Sequence, residues 1–215
     1  MKTMNYALDA DGVAVVTLDD ASRPMNVVSP EFMDDMLEVI EKASKDDAVK
    51  GVVLCSAKPA FMAGADLKYF LDRMEDGMSL QEAADFSQRA SIAMHRAIET
   101  CGKPFVAALG GLALGGGYEL ALACHRRVAA DNPKIALGLP EVSVGLLAGS
   151  GGTQRLPRMV GLVNALPLVV EGQSMSPEKA LALGAVDQVV PADQLLAAAK
   201  PVSYTHLRAH ETVLH

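Results

Sequence analysis

Two short runs of wholly apolar residues limit the fold most strongly. Residues 51–55 and 105–109 are too short for buried helices and show no polar alternation, so we expect strands buried on both faces. Residues 30–44 have apolar side chains at helical spacing after a Ser29-Pro30 start, and residues 80–101 form a longer helical pattern. Short apolar strands that alternate with helices predict an α/β domain.

Shorter elements complete the pattern. The sequence predicts a β-hairpin, a helix after a glycine-rich turn, three further strand candidates and three later helices: residues 6–8 with 12–18; residues 117–124; residues 127–130, 134–137 and 186–190; and helices from about residues 152, 161 and 176. A chain of 215 residues is first expected to form one domain. We assign this domain to residues 1–200.

The last stretch, residues 201–215, departs from this pattern because it has no apolar periodicity. It contains His206, His210 and His215, and histidines four residues apart on a helix suggest a metal site. We favour another interpretation, because the stretch resembles a translated sequencing adapter. It is then a non-native tail, and the natural protein is expected to continue beyond residue 200 with a different sequence.

Composition excludes several classes of protein. Half of the residues are hydrophobic, so most of the chain is not expected to be disordered. The formal charge of −7 opposes binding to nucleic acid, and no apolar run is long enough for a membrane span. Three cysteines without a CxxC pair and an N-terminus without an apolar signal segment predict a cytoplasmic protein.

A glycine triplet, Gly115 to Gly117, lies between the buried strand 105–109 and a helix. The first amides of a helix have no internal acceptor, and the helix dipole adds positive potential, so this turn can bind an oxyanion. A tight turn without a ligand is the alternative. Glu119 favours a functional site because it projects from the first helical turn, although it can also simply favour the dipole.

Two further segments contain glycine and carboxylate residues. Ala63-Gly64-Ala65-Asp66 follows the strand that ends at residue 55 and precedes a helix, which Asp66 can cap. Glu141 follows Pro140 among apolar residues, where burial would raise the pKa of its carboxyl. Ser150 and Thr153 lie in a later glycine-rich stretch and are expected to cap the next helix. Two carboxylates with two sets of exposed amides can stabilise an enolate and move protons.

Together these motifs resemble the enoyl-CoA hydratase/isomerase (crotonase) superfamily over residues 6–200. Residues 123–129, 131–134 and 137–141 look most like the N-terminal hydratase/isomerase domain of the multifunctional fatty-acid oxidation α subunit. The resemblance implies an α/β fold built as a crotonase-like spiral of ββα units, truncated at its C-terminus. It also implies a coenzyme A thioester substrate.

The resemblance implies roles for individual residues. The amides of Ala65 and Gly116 would form an oxyanion hole, and Glu119 and Glu141 would be catalytic. Neighbouring residues would bind substrate: Ala63, Gly64, Asp66, Gly115, Gly117, Pro140 and Gly149. Having both glutamates favours hydration of trans-2-enoyl-CoA to 3-hydroxyacyl-CoA, with no metal or redox cofactor. The alternatives are a Δ3-Δ2 enoyl-CoA isomerase and a non-catalytic acyl-CoA-binding fragment.

The sequence also departs from the family pattern. Leu109-Gly110 stands where the family more often has Ile-Asn or Ile-His, and Ala148 replaces a common proline. Both positions are expected to lie beside the site, and neither departure removes a catalytic group. In the full-length protein, an oligomer or a complex with a thiolase subunit is the expected assembly.

Overall fold

The computed structural model describes residues 1–205, with the side chains of all of these except 89–92, 204 and 205. The strands are, in chain order, β1 (Met4–Leu8), β2 (Val13–Leu18), β3 (Gly51–Ser56), β4 (Phe105–Leu109), β5 (Ala113–Leu114), β6 (Arg126–Ala130), β7 (Leu137–Gly138), β8 (Ser174–Met175) and β9 (Gln188–Val190). The α-helices are α1 (Pro30–Lys45), α2 (Leu67–Glu75), α3 (Leu80–Gln88), α4 (Ala97–Thr100), α5 (Gly116–Ala123), α6 (Gly152–Val160), α7 (Leu162–Val170), α8 (Pro177–Ala182) and α9 (Leu195–Thr205).

A six-stranded sheet forms the centre of the molecule, in the order β1-β2-β3-β4-β6-β9. The hairpin β1-β2 is antiparallel, and each later neighbour pairs in parallel. Every residue of β4 is buried, as its wholly apolar sequence predicts. The predicted α/β class, the hairpin and the two buried apolar strands are confirmed.

A second, three-stranded sheet has the order β5-β7-β8. The sequence analysis missed β5 and β8, because two-residue strands carry no periodic signal. Its strand prediction for residues 134–137 was wrong except at Leu137. The Asn132 side chain accepts from the Lys134 amide, and its carbonyl accepts from the Ile135 amide. These bonds form a turn that takes the amides a strand would need.

The predicted helices are present, with one unexpected feature. Ser29 caps α1, its hydroxyl accepting from the Phe32 amide at 3.2 Å. The long pattern at 80–101 is helical from Leu80 to Thr100, but it is interrupted by a π-helical segment at Arg89–Arg96. Such segments often occur at functional sites.

Two apolar clusters lie on opposite faces of the large sheet. The larger one includes α1 and α5, and the smaller one packs Val53, Val106 and Val128 against Ala199 and Val202 of α9. Residues 201–205 continue α9. The assignment of 201–215 as a non-native tail stays a prediction, and His206, His210 and His215 lie outside the described residues.

Candidate active site

Parallel pairing of β5 with β7 brings together two segments that are distant in sequence. Leu114 pairs with Gly138, and the Gly115 amide donates to the Gly138 carbonyl at 2.9 Å. Because the strands run in the same direction, the segments that follow them leave at one edge of the sheet. After β5 comes α5, which carries Glu119; after β7 comes a 3-10 helix, Pro140–Val144, which carries Glu141.

The turn into α5 requires glycine at position 115. Gly115 has φ of 53° and ψ of −131°, a conformation that side chains strongly disfavour. Its carbonyl accepts from the amides of Tyr118 and Glu119, which starts the helix. A Cβ atom at Gly115 would lie 3.1 Å from Oε1 of Glu141. The Glu141 carboxyl therefore lies directly against this turn.

Two backbone amides lie side by side next to that carboxyl. Val28 forms a parallel bridge with Ala65. The Val28 amide donates to the Gly64 carbonyl at 2.8 Å, and the Asp66 amide donates to the Val28 carbonyl at 3.2 Å. The bridge leaves the Ala65 amide facing away from Val28. Gly116 begins α5, so its amide has no acceptor in the helix.

A Cβ atom on Gly116 would lie only 3.6 Å from the Ala65 nitrogen, which places the two amides next to each other. Within residues 1–205, neither amide donates a hydrogen bond to the backbone. Both amides therefore lack a backbone acceptor in this part of the chain, and their role as an oxyanion site stays a prediction.

The Glu119 side chain is buried and crosses to the loop before α6. Its Oε1 accepts from the amides of Ser150 and Gly152, both at 2.8 Å. Burial raises the pKa of Glu119 to about 7; the Glu141 charge adds to the rise, while the two amides and Arg155 oppose it. Burial and the Glu141 charge thus favour the protonated form of the Glu119 carboxyl.

Glu141 has a similar but less enclosed environment. Burial raises the pKa of its carboxyl, as predicted, and a hydrogen bond from its own backbone opposes the rise. Its Oε2 is buried and has no hydrogen-bond partner within the described part of the chain. An oxygen in this state is suited to a hydrogen bond with a bound molecule.

The other predicted site residues lie around these groups, several with structural contacts. Asp66 caps α2 as expected, and its Oδ2 lies 2.6 Å from the Arg23 guanidinium. A Cβ on Gly117 would lie 2.5 Å from the Met62 carbonyl oxygen, so glycine is needed there for packing. Ala63 and Gly64 precede Ala65 in its loop, Pro140 begins the 3-10 helix of Glu141, and Gly149 lies in the loop before α6. Their role in binding substrate stays a prediction.

The expected capping by Ser150 and Thr153 was wrong. The N-cap of α6 is Gly151, with φ of 104°, and no side chain caps this helix. The backbone of Ser150 has a different use, since its amide binds Glu119. The amides that a cap would satisfy are instead partly satisfied by that carboxyl, which reaches Gly152 at the start of the helix.

The sequence analysis missed Asn26, a buried polar residue next to the Ala65 loop. Its side-chain amide nitrogen donates to the carbonyls of Leu18 (3.2 Å) and Phe61 (3.3 Å) and to the Ser56 hydroxyl (3.0 Å). Its backbone carbonyl accepts from Ala63. A single asparagine between apolar residues has no sequence pattern that separates it from a surface position.

In residues 1–205, we find no helix that combines the length and the apolar character needed to cross a bilayer. In the same region, no group of three or more His, Cys, Asp or Glu side chains is arranged to hold a metal ion.

A family model described as Enoyl-CoA hydratase/isomerase matches residues 9–213. The chain belongs to this family. Among curated members, it is 43% identical over 196 residues to the fatty acid oxidation complex subunit alpha of Shewanella halifaxensis (strain HAW-EB4). It is 46% identical over 196 residues to the protein of the same name from Idiomarina loihiensis (strain ATCC BAA-735 / DSM 15497 / L2-TR). Each alignment covers 91% of this chain but 27% of the relative, so the chain spans about a quarter of their length.

Solved structures of enoyl-CoA hydratases have the same fold. The enzyme from Geobacillus kaustophilus HTA426 gives a TM-score of 0.86 at 30% identity, covering 94% of this chain and 73% of that one. The enzyme from Bacillus anthracis gives a TM-score of 0.83 at 31% identity, and the match covers 94% of this chain and 75% of that one. The predicted family, the resemblance to the α subunit and the crotonase-like fold are confirmed.

Proposed function

We propose that this chain adds water to trans-2-enoyl-CoA and forms 3-hydroxyacyl-CoA in fatty-acid β-oxidation. One observation carries the proposal: the Glu141 carboxyl lies against the turn that leads to the paired amides of Ala65 and Gly116, and Glu119 follows Gly116 in the first turn of α5, where the Glu141 charge helps to raise its pKa. The names of the relatives support a role in fatty-acid oxidation. A cytoplasmic location and an acyl-CoA substrate belong to the same proposal.

The paired amides would bind the carbonyl oxygen of the thioester. When water adds to the β-carbon, the π electrons of the double bond move toward the carbonyl, and negative charge develops on its oxygen. Donors fixed in advance by a strand bridge and a helix start stabilise that charge without reorganising. This is the role we assign to Ala65 and Gly116. Because the thioester enolate holds the electrons, the step needs no metal or redox cofactor.

The two glutamates would move the protons. One carboxylate accepts a proton from water as the oxygen bonds to the β-carbon, and the other carboxyl delivers a proton to the α-carbon. The product has gained one water molecule, and the pair has exchanged its protonation states. A pKa near 7 is well suited to this work, because both the proton-bearing and the ionised form are then accessible at neutral pH.

The test is the loss of enoyl absorbance with crotonyl-CoA. We compare the unaltered chain with Glu119→Gln and Glu141→Gln, using Glu38→Gln on the exposed face of α1 as the matched control. Each site variant is expected to lower kcat about 100-fold or more, the usual contribution of a positioned acid or base, while the control keeps full activity. A folded chain without turnover contradicts the proposal.

The same variants separate hydration from isomerisation. An isomerase needs only one essential carboxylate to move a proton between carbon atoms. If Glu119→Gln loses hydration but keeps full conversion of a 3-enoyl-CoA, the isomerase is the better description of the site. Loss of both activities in both variants supports the hydratase with two carboxylates.

A further inference from the structure

The two peptide groups that flank the Ser150 Cα are both held by side chains. Its amide donates to Oε1 of Glu119 at 2.8 Å. Its carbonyl oxygen accepts from Nη1 of Arg155 at 2.9 Å and lies 3.0 Å from Nδ1 of His95. The amide belongs to the Gly149–Ser150 peptide and the carbonyl to the Ser150–Gly151 peptide, so two successive planes joined at the Ser150 Cα connect Glu119 to Arg155 and His95.

We propose that Arg155 is a positioning residue for Glu119, which it orients by holding the Ser150 carbonyl so that the Ser150 amide faces the carboxylate. The consequence for catalysis rests on the proposed function. Holding the Ser150 carbonyl fixes the Ser150–Gly151 peptide plane, which lies between the two peptides whose amides donate to Glu119, and so it restricts the rotation of both. The same loop supplies the Gly152 amide, the second donor to Glu119.

Arg155 is itself held in place. Its Nε donates to Oε1 of Glu99 at 2.7 Å, and Arg96 lies 3.3 Å from the other oxygen of the same carboxylate. A Cβ atom at Gly151 would lie 2.0 Å from Nη1 of Arg155, so the guanidinium occupies space that only glycine leaves free. The absence of a side chain at position 151 therefore serves this contact as well as the turn.

His95 supports the same carbonyl from the π-helical segment. Its imidazole is fully buried, and burial, with the charge of Arg155, lowers its pKa to about 4. The ring is then neutral at pH 7, and the carbonyl opposite Nδ1 requires the proton to be on that nitrogen. Arg155 and His95 thus hold one carbonyl together, and they fix the peptide plane that adjoins the Ser150 amide.

The charged groups that face Glu119 come from two elements. Glu141, from the 3-10 helix, raises the pKa of Glu119, and Arg155, from α6, lowers it. Removing the guanidinium takes away an opposing charge and also loosens the Ser150 amide. Both changes favour the protonated acid, so the pKa of Glu119 is expected to rise.

The experiment is a ¹³C NMR titration of the Glu119 carboxyl, assigned by its loss in Glu119→Gln. It is run on the unaltered chain, Arg155→Gln, Arg155→Lys and Glu99→Gln. Arg158→Gln is the matched control. Arg155 and Arg158 line one surface cavity of about 390 Å³, but Arg158 donates to Gln154 rather than to the Ser150 carbonyl. Glu99→Gln removes the charge that holds Arg155 while leaving the guanidinium present.

Arg155→Gln is expected to move the titration midpoint up by about one pH unit, a common effect of one neighbouring opposite charge. Its kcat for crotonyl-CoA should fall about tenfold at pH 7, with little change in KM. Arg155→Lys should restore part of the midpoint and part of kcat. Glu99→Gln should give a smaller shift of the midpoint, and Arg158→Gln should change neither the midpoint nor kcat.

Two outcomes separate this inference from the proposed function. If Arg155→Gln keeps the Glu119 titration midpoint of the unaltered chain, the positioning role is wrong, whether or not the chain is active. If the midpoint moves but crotonyl-CoA is not hydrated by the unaltered chain, the positioning role stands and the proposed function fails.

Discussion

Replacing Glu119 by glutamine should make the protein more stable at high pH. Glu119 is 2% exposed, and its pKa is about 7 in the folded chain against an ordinary value of 4.5. The folded state therefore binds a proton that the unfolded chain has already released between these two pH values. Stability from this group is fully present below about pH 4.5 and is lost as pH rises through about 7.

The size of the effect follows from the same two values. At about 1.4 kcal/mol for each pH unit between them, ionising Glu119 costs the folded state about 3 kcal/mol by pH 8. Glutamine does not titrate, and its side-chain oxygen can still accept from the Ser150 and Gly152 amides. The variant therefore avoids the cost and keeps these two hydrogen bonds.

The assay is urea unfolding of the unaltered chain, Glu119→Gln and Glu38→Gln at intervals from pH 4 to pH 8. We expect the unaltered chain and Glu119→Gln to have nearly equal free energies of unfolding at pH 4. As pH rises, Glu119→Gln should become the more stable of the two. Glu38 lies on an exposed helix face, so its variant should follow the unaltered chain throughout. A stability difference that stays constant across this range would refute the argument that burial controls this carboxyl.

Three further substitutions test contacts around the site by urea unfolding. Gly117→Ala should lower the unfolding free energy by about 1–3 kcal/mol, because its Cβ would overlap a backbone carbonyl at 2.5 Å, whereas Gly149→Ala has only 3.7 Å contacts and should cost less. Asn26→Ala should cost about 2 kcal/mol or more, because it removes the partner of the buried Phe61 carbonyl and of the Asp20 amide; an unchanged midpoint would contradict this. Asp66→Ala should cost about 1–2 kcal/mol through the lost helix cap, and adding Arg23→Ala should then cost little more if the two act as a pair.

The sequence predicted the large sheet well because its buried strands have a distinctive composition. Residues 105–109 are apolar at every position, and a strand buried on both faces needs that composition. The small sheet was missed for the opposite reason. β5 and β8 have two residues each, and their pairing depends on contacts that only the folded chain brings together.

The candidate site shows the same division. The turn before α5 and the carboxyl of Glu141 were identifiable from glycine spacing and from apolar neighbours. The partner of Glu119 was not, because Ser150 and Gly152 use backbone amides, which every residue has. A functional side chain can be identified from the residue type in the sequence. A functional backbone amide can be identified only where the local conformation requires glycine or proline.

The position of α9 has a consequence for how the molecule opens. This helix packs against β3, β4 and β6 on the face opposite the larger cluster, through residues such as Ala199 and Val202. Because α9 contributes no strand to the sheet, it can detach while the strand pairs beneath it stay intact. We therefore expect amide hydrogens of α9 to exchange with solvent as an early cooperative unit, at a lower free energy than those of β4. Exchange of this kind would expose one face of the large sheet, while the edge of the small sheet that both glutamates follow stays closed.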